Sequence, residues 1–277
     1  MSTRALRVVA SYEVERLVRS PHGAAVLLLF VTLYGWAAWS LRRIAETFPV
    51  ANLGQDSEFA AAVSRFVAQA AGLKDDALSG LLRDHPPLLV AIFALSVMLT
   101  PLLAILLSSD QTATDIRTRH LRFLLLRTDR LSLYLGRFAG SLAAFAIAQA
   151  VAVAAVVIAI SPARVGGTEG FLYLFRGYVT VLLLAAPCVA LMAALDALSA
   201  QATRALMLAL LLWVALAIAV AAAGPDFQFL DYGFPTAGKY RVLADRASDM
   251  APTLAFQAIY AAAALALGFV RFRRRDL

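Results

Sequence analysis

Charged residues are scarce in this sequence. They make up 16% of the chain, against 61% apolar residues and a mean hydropathy of +0.76, whereas a soluble globular domain has about 25% charged and about 45–50% apolar residues. The single cysteine, Cys188, excludes an intrachain disulfide scaffold. Because disorder requires low hydrophobicity, a disordered chain is excluded as well. The composition is that of a membrane protein.

The apolar residues form six blocks of about twenty residues, each long enough to cross a hydrocarbon core as a helix. The predicted spans are 23–41, 87–107, 138–160, 177–198, 205–223 and 251–270. We therefore predict an all-α polytopic membrane protein, a single transmembrane domain over 1–277 with long outer connections at 42–86 and 224–250. The three histidines and the cysteine show no metal-ligand spacing, so no metal site is predicted.

The basic residues predict the orientation. The two termini and the connections on the same side of the membrane hold 15 of the 25 Lys and Arg residues and six acidic residues. The opposite side holds 10 Lys and Arg residues and eleven acidic residues. By the positive-inside rule both termini are cytoplasmic. The net charge of +7 is thus a topology signal, and it predicts no nucleic-acid partner.

The segment before the first span alternates apolar and charged residues with helical spacing and ends at Ser20-Pro21. It predicts an amphipathic helix at the cytoplasmic leaflet, with membrane lipid under its apolar face and Glu13, Arg16 and Arg19 on its polar face. Whether this helix is only an anchor or has a function stays open.

The cytoplasmic connection 108–137 combines arginines with a run of leucines. We predict a short helix or helix pair with one face on the bundle and one in the cytosol, and favour a docking element for a cytosolic partner over a solvated linker. No nucleotide-binding motif occurs, the nearest fragment being Gly238-Lys239-Tyr240. The chain is therefore predicted not to be an enzyme, and any ATP and magnesium would be bound by another subunit.

Three further features are less specific. Apolar residues with helical spacing from Phe59 to Ala70 predict an outer interfacial helix. Gly136 and Gly140 permit close helix approach without indicating which helices meet. Asp196, the one acid in an apolar span, suits a structural role near Arg204 at the membrane edge better than an ion relay.

Local sequences together with this architecture resemble the permease subunits of the type-2 ABC exporter family. The similar stretches are 13–21 before the first span, Asp115–Leu125 after the second, Leu135-Gly136-Arg137-Phe138 and the basic tail 271–277. The family often has Gly-Thr where this chain has Arg119-His120, and often a proline where it has Thr128-Asp129.

The resemblance implies an inner-membrane exporter in which a cytosolic ABC ATPase hydrolyses ATP and a second permease copy or homologue completes the pore. The ATPase-coupling residues would be Asp115, Arg117, Arg119, Arg122, Arg127 and Arg130, supported by the amino-terminal helix. Two alternatives stay open. One is an ATPase-coupled scaffold that drives or matures a periplasmic partner, and the other is an ion-coupled secondary transporter.

Overall fold

The computed structural model describes residues 3–47, 87–119, 121–160, 167–199, 201–223, 232–237 and 247–274. Within these ranges the chain is helical, with short turns and no strand, which confirms the all-α prediction. The helices are α1 (Thr3–Arg19), α2 (Pro21–Thr47), α3 (Pro87–Leu107), α4 (Ala113–Arg117), α5 (Leu121–Leu125), α6 (Arg130–Ile160), α7 (Gly167–Ser199), α8 (Ala202–Ala223) and α9 (Ala247–Arg273).

Five of these helices, α2, α3, α6, α7 and α9, are long and apolar enough in their described parts to cross a membrane. In α8 the stretch Ala202–Leu216 counts as a shorter apolar helix. Several helices extend beyond the predicted spans. α7 begins ten residues before 177, and α6 begins at Arg130 instead of 138. The predicted outer helix at 59–70 lies outside the described residues.

α7 is the central helix of the bundle, since it packs against α9, α3, α8 and α6. Its buried face is rich in small side chains, including Ala185, Cys188, Ala190 and Ala193. Small residues at a helix interface let the backbones approach closely. This closeness is most marked at Gly268 of α9, where an added Cβ would lie 2.7 Å from Cα of Ala194.

A neutral hydrogen-bonded group joins α2, α3 and α6 near the middle of each helix. The Tyr34 hydroxyl donates to Oε1 of Gln149 at 2.9 Å, and Nε2 of Gln149 donates to Oγ of Ser96 at 3.2 Å. All three residues are buried. Because polar groups in an apolar core are costly without partners, this arrangement fixes the relative positions of the three helices.

The described piece of the connection between α8 and α9, residues 232–237, contacts both helices. Phe234 contacts Trp213 with ring centroids 5.2 Å apart, and Nε2 of Gln257 donates to the Ala237 carbonyl at 2.9 Å. Trp213 lies ten residues before the end of α8 and Gln257 ten residues after the start of α9, or roughly 15 Å along each helix. The segment therefore reaches well into the bundle.

Candidate functional site

The two glycines at the start of α6 form the docking surface for α1. An added Cβ at Gly136 would lie 2.8 Å from Cβ of Val9, and one at Gly140 would lie 2.5 Å from Cβ of Glu13. Real Cβ atoms do not approach so closely, so both positions require glycine for this packing. The Gly-x-x-x-Gly sequence thus brings together α1 and α6, a pairing that the sequence alone did not indicate.

The buried face of α1 consists of Val9, Glu13 and Leu17, which follow one another at helical spacing. These side chains face protein, whereas the sequence predicted lipid under the apolar face and Glu13 on the polar face. The outward face carries apolar side chains too, with Val8, Tyr12 and Val18 each more than half exposed. α1 is therefore a packed element of the bundle that also presents an amphipathic surface.

Glu13 and Arg16 lie at the contact between α1 and the chain that follows α3. The carboxylate of Glu13 accepts a hydrogen bond from Nη2 of Arg16 at 2.7 Å, and Nη1 of Arg16 lies 3.6 Å from Oδ2 of Asp110. Arg16 also donates to the Asp110 carbonyl. Burial raises the pKa of Glu13, against the opposing effect of Arg16 and Arg137. Arg19, by contrast, pairs with Glu15 at the surface.

The five residues 108–112, here called the junction turn, connect α3 to α4. Asp196, fully buried near the end of α7, accepts the backbone N–H of Gln111 at 2.7 Å and that of Thr112 at 3.4 Å. Nε2 of Gln111 donates to the Val189 carbonyl at 3.0 Å. The predicted structural role of Asp196 thus has a geometric basis, but its partners are the junction turn and not Arg204.

Arg137 of α6 also binds the junction turn. Its guanidinium pairs with the Asp115 carboxylate and donates to the Gln111 carbonyl, and only 2% of the residue is exposed. The sequence predicted a cytoplasmic connection that extends to Arg137. The structure places Arg137 within α6, which begins at Arg130, and Asp129 just before it accepts the N–H of Ser132. Hydrogen bonding by Ser132 lowers the pKa of Asp129.

The predicted ATPase-coupling residues lie in two different environments. Asp115 faces inward to Arg137, and Arg130 donates to the Arg273 carbonyl of α9. The others are exposed on α4, α5 and the adjoining turns, together with two exposed apolar side chains. We call this exposed set the basic face: Arg117, Arg119, Arg122, Phe123, Leu126 and Arg127.

Arg119 follows α4 with a φ of 60°, in the left-handed region that favours glycine. The family that the sequence resembles often has glycine at this position. The backbone at Arg119 thus has the left-handed conformation that glycine adopts readily. We predict that Arg119→Gly is more stable than Arg119→Ala by about 1 kcal/mol, because alanine retains the strain. Thermal unfolding of the two purified variants measures this difference, and equal midpoints would contradict it.

Four residues that this site brings together were not among the predicted site residues: Asp110, Gln111, Thr112 and Arg137. Arg137 lies in one of the resembling stretches, but nothing in the sequence indicated that Gln111 would contact α7. Among the described residues no group of three or more His, Cys, Asp or Glu side chains is placed to hold a metal. The site therefore consists of ion pairs and of backbone N–H groups bound by a buried carboxyl group. The basic face lies on the side of the site that is away from the bundle.

A family model for ABC-2 family transporter proteins matches residues 7–277, nearly the whole chain. The chain belongs to the ABC-2 family. This ABC-2 permease is thus the membrane component of an ABC transporter, and membership implies in general a partner ATPase subunit and a dimer. None of the curated proteins matches it. The long apolar helices are those expected of such an integral membrane protein.

Proposed function

We propose that this permease is the transmembrane subunit of an ABC exporter in the bacterial inner membrane. It acts with a second permease copy or homologue and with cytosolic ATPase subunits that bind ATP and magnesium. In this proposal α8 is a sixth span. An even number of spans puts both termini on the same side of the membrane, and this side, with the basic face, is the cytoplasm. The excess of arginine on that side supports this orientation.

The proposal rests on a difference between the two sides of the segment formed by the junction turn, α4 and α5. One side contacts the bundle and the other is exposed. The inner side of the segment is tied to α1, α6 and α7 by Arg16, Arg137 and Asp196. On the side that faces away from the bundle, Phe123 is 68% exposed and Leu126 is 83% exposed, and both lie beside arginines. Exposed aromatic and aliphatic groups ringed by arginine are typical of protein interfaces.

In this arrangement the ATPase binds the basic face through acidic side chains and a pocket for Phe123 or Leu126. When ATP brings the ATPase subunits together, they push on α4 and α5, and rigid-body movement of the spans opens a path outward. The contacts of Asp196 support this function over ion coupling, because the carboxylate accepts backbone N–H groups of the junction turn.

Reversing the charge of the basic face tests the proposal. We expect Arg117→Glu, Arg119→Glu and Arg122→Glu, made together, to abolish co-purification of the ATPase, because three attractive contacts become repulsive. The loss in affinity should be at least about a hundredfold, roughly 1 kcal/mol or more for each reversed charge. The measurement is capture of the ATPase encoded with the permease on the tagged permease, as a function of ATPase concentration.

The matched control makes the same charge change in the tail, with Arg271, Arg273 and Arg274 replaced by Glu. These side chains are also exposed, so this variant separates a local effect from the change in total charge. We expect it to insert and to retain the ATPase. Unchanged capture by the basic-face variant, with normal membrane insertion, would refute the proposed docking surface.

A further inference from the structure

We propose that Asp196 and Arg137 are positioning residues that hold the junction turn between the end of α7 and the start of α6. By holding the backbone N–H and the backbone carbonyl of Gln111, they make a push on α4 displace α6 and α7 together. The inference rests on the proposed ATPase-driven function, and it assigns the transmission of that movement to two side chains that the ATPase does not contact.

Gln111 is the residue that both helices hold. α7 binds its backbone N–H through Asp196 and its side-chain amide through the Val189 carbonyl, whereas α6 binds its backbone carbonyl through Arg137. Only 1% of Gln111 is exposed. With both backbone groups and the side chain engaged, the turn cannot rotate or shift without breaking buried hydrogen bonds.

The position of Asp196 is costly, which indicates that its contact is specific. The carboxyl group is fully buried, and a buried polar group is costly unless it is hydrogen-bonded. An apolar side chain would fill the same space at lower cost. The two N–H groups of Gln111 and Thr112, which precede α4, are the interactions that an apolar residue would lose.

The rest of the turn is tied in the same way. Thr114 of α4 donates its backbone N–H to Oδ1 of Asp110 at 3.0 Å, and Asp110 is in turn held by Arg16 of α1. Asp115, in the first turn of α4, is held by Arg137. The first turn of α4 is therefore linked by side chains to α1, α6 and α7, while the basic face farther along remains available to a partner.

Hydrogen exchange of the purified permease without ATPase or substrate tests the positioning. In Asp196→Leu we expect the amides of Gln111 and Thr112 to exchange roughly tenfold faster or more, because their acceptor is gone. Asp196→Asn keeps a side-chain carbonyl acceptor and should stay close to wild type. Unchanged exchange in Asp196→Leu, or an Asn variant as fast as the Leu variant, would overturn the assignment.

The control is Gln257→Leu, which removes another buried side-chain hydrogen bond, at the Ala237 carbonyl between α8 and α9. It should lower overall stability without accelerating exchange in the junction turn. Accelerated exchange at 110–112 in this variant as well would show only general loosening of the bundle, and would overturn the specific role of Asp196.

Transmission is tested in the permease–ATPase complex, with and without ATP and magnesium. In the wild type we expect nucleotide to change exchange in the adjoining ends of α6 and α7. In Asp196→Leu the ATPase should still bind, and the change should be confined to α4 and α5. Persistence of the wild-type response at α6 and α7 would overturn the inference. If the wild-type permease bound no ATPase, the proposed function would be refuted. The exchange experiment on the permease alone would still test whether Asp196 positions the junction turn.

Discussion

Replacing Gly136 and Gly140 together by alanine is expected to displace α1 from the bundle. The new methyl groups would overlap Val9 and Glu13, at 2.8 and 2.5 Å, and the Ala10 carbonyl at 2.7 Å. Two of these neighbours are Cβ atoms and one is backbone, so none can move without shifting the helix. Overpacking of this kind costs about 1–3 kcal/mol per site, which exceeds the gain in helix propensity of up to about 1 kcal/mol from alanine.

Trypsin cleavage within α1 measures the displacement, since trypsin needs a locally unfolded backbone and docking against α6 opposes that unfolding. The matched control is Gly35→Ala in α2, where an added Cβ meets nothing within 4 Å. This variant should be neutral or slightly stabilising, because alanine is the better helix former. Equal cleavage rates in the control and the double variant would refute the glycine-mediated docking of α1.

Arg137→Met is the second substitution for which we expect a large effect. It leaves the Asp115 carboxylate, 14% exposed at its side chain, and the buried Gln111 carbonyl without their donor. Removing one partner of a buried ion pair typically costs about 3–5 kcal/mol, because the other charge stays desolvated. Methionine retains much of the aliphatic volume, so the loss reports on the polar contacts and not on a cavity.

A double-mutant cycle with Asp115→Ala separates these contributions. We expect Arg137→Met combined with Asp115→Ala to be less destabilised than Arg137→Met alone, because no unpaired charge remains. The measurement is unfolding of the detergent-solubilised permease by denaturant. Strict additivity of the two substitutions would contradict the direct pairing of Arg137 with Asp115.

The sequence predicted the helical architecture well because a membrane imposes a simple rule. A block of about twenty apolar residues must form a helix to satisfy its backbone in lipid. The ends of α6 and α7 were less predictable. Helix formation continues past the apolar block into residues such as Arg130 and Glu169, where capping and packing, and not hydropathy, decide the boundary.

The candidate site was predicted chiefly in its exposed part, although Glu13, Arg16 and Asp115 on its inner side were also singled out. Arg117, Arg119, Arg122 and Arg127 stand out as a basic cluster within an apolar chain. The buried part depends on contacts between distant segments, such as Asp196 with Gln111, 85 residues apart. A single glutamine after a span carries no periodicity or motif, and glycines at 136 and 140 do not specify their partner helix. Only the packed bundle brings these residues together.

The 85-residue separation between Gln111 and Asp196 also sets an order of events during synthesis. The junction turn leaves the ribosome long before its acceptor on α7. At roughly 5–20 residues per second, the interval is about 4–17 s. During that time α4 and α5 are already made but have no contact with α7. The contact that fixes the junction turn to α7 therefore forms only after α7 has been translated.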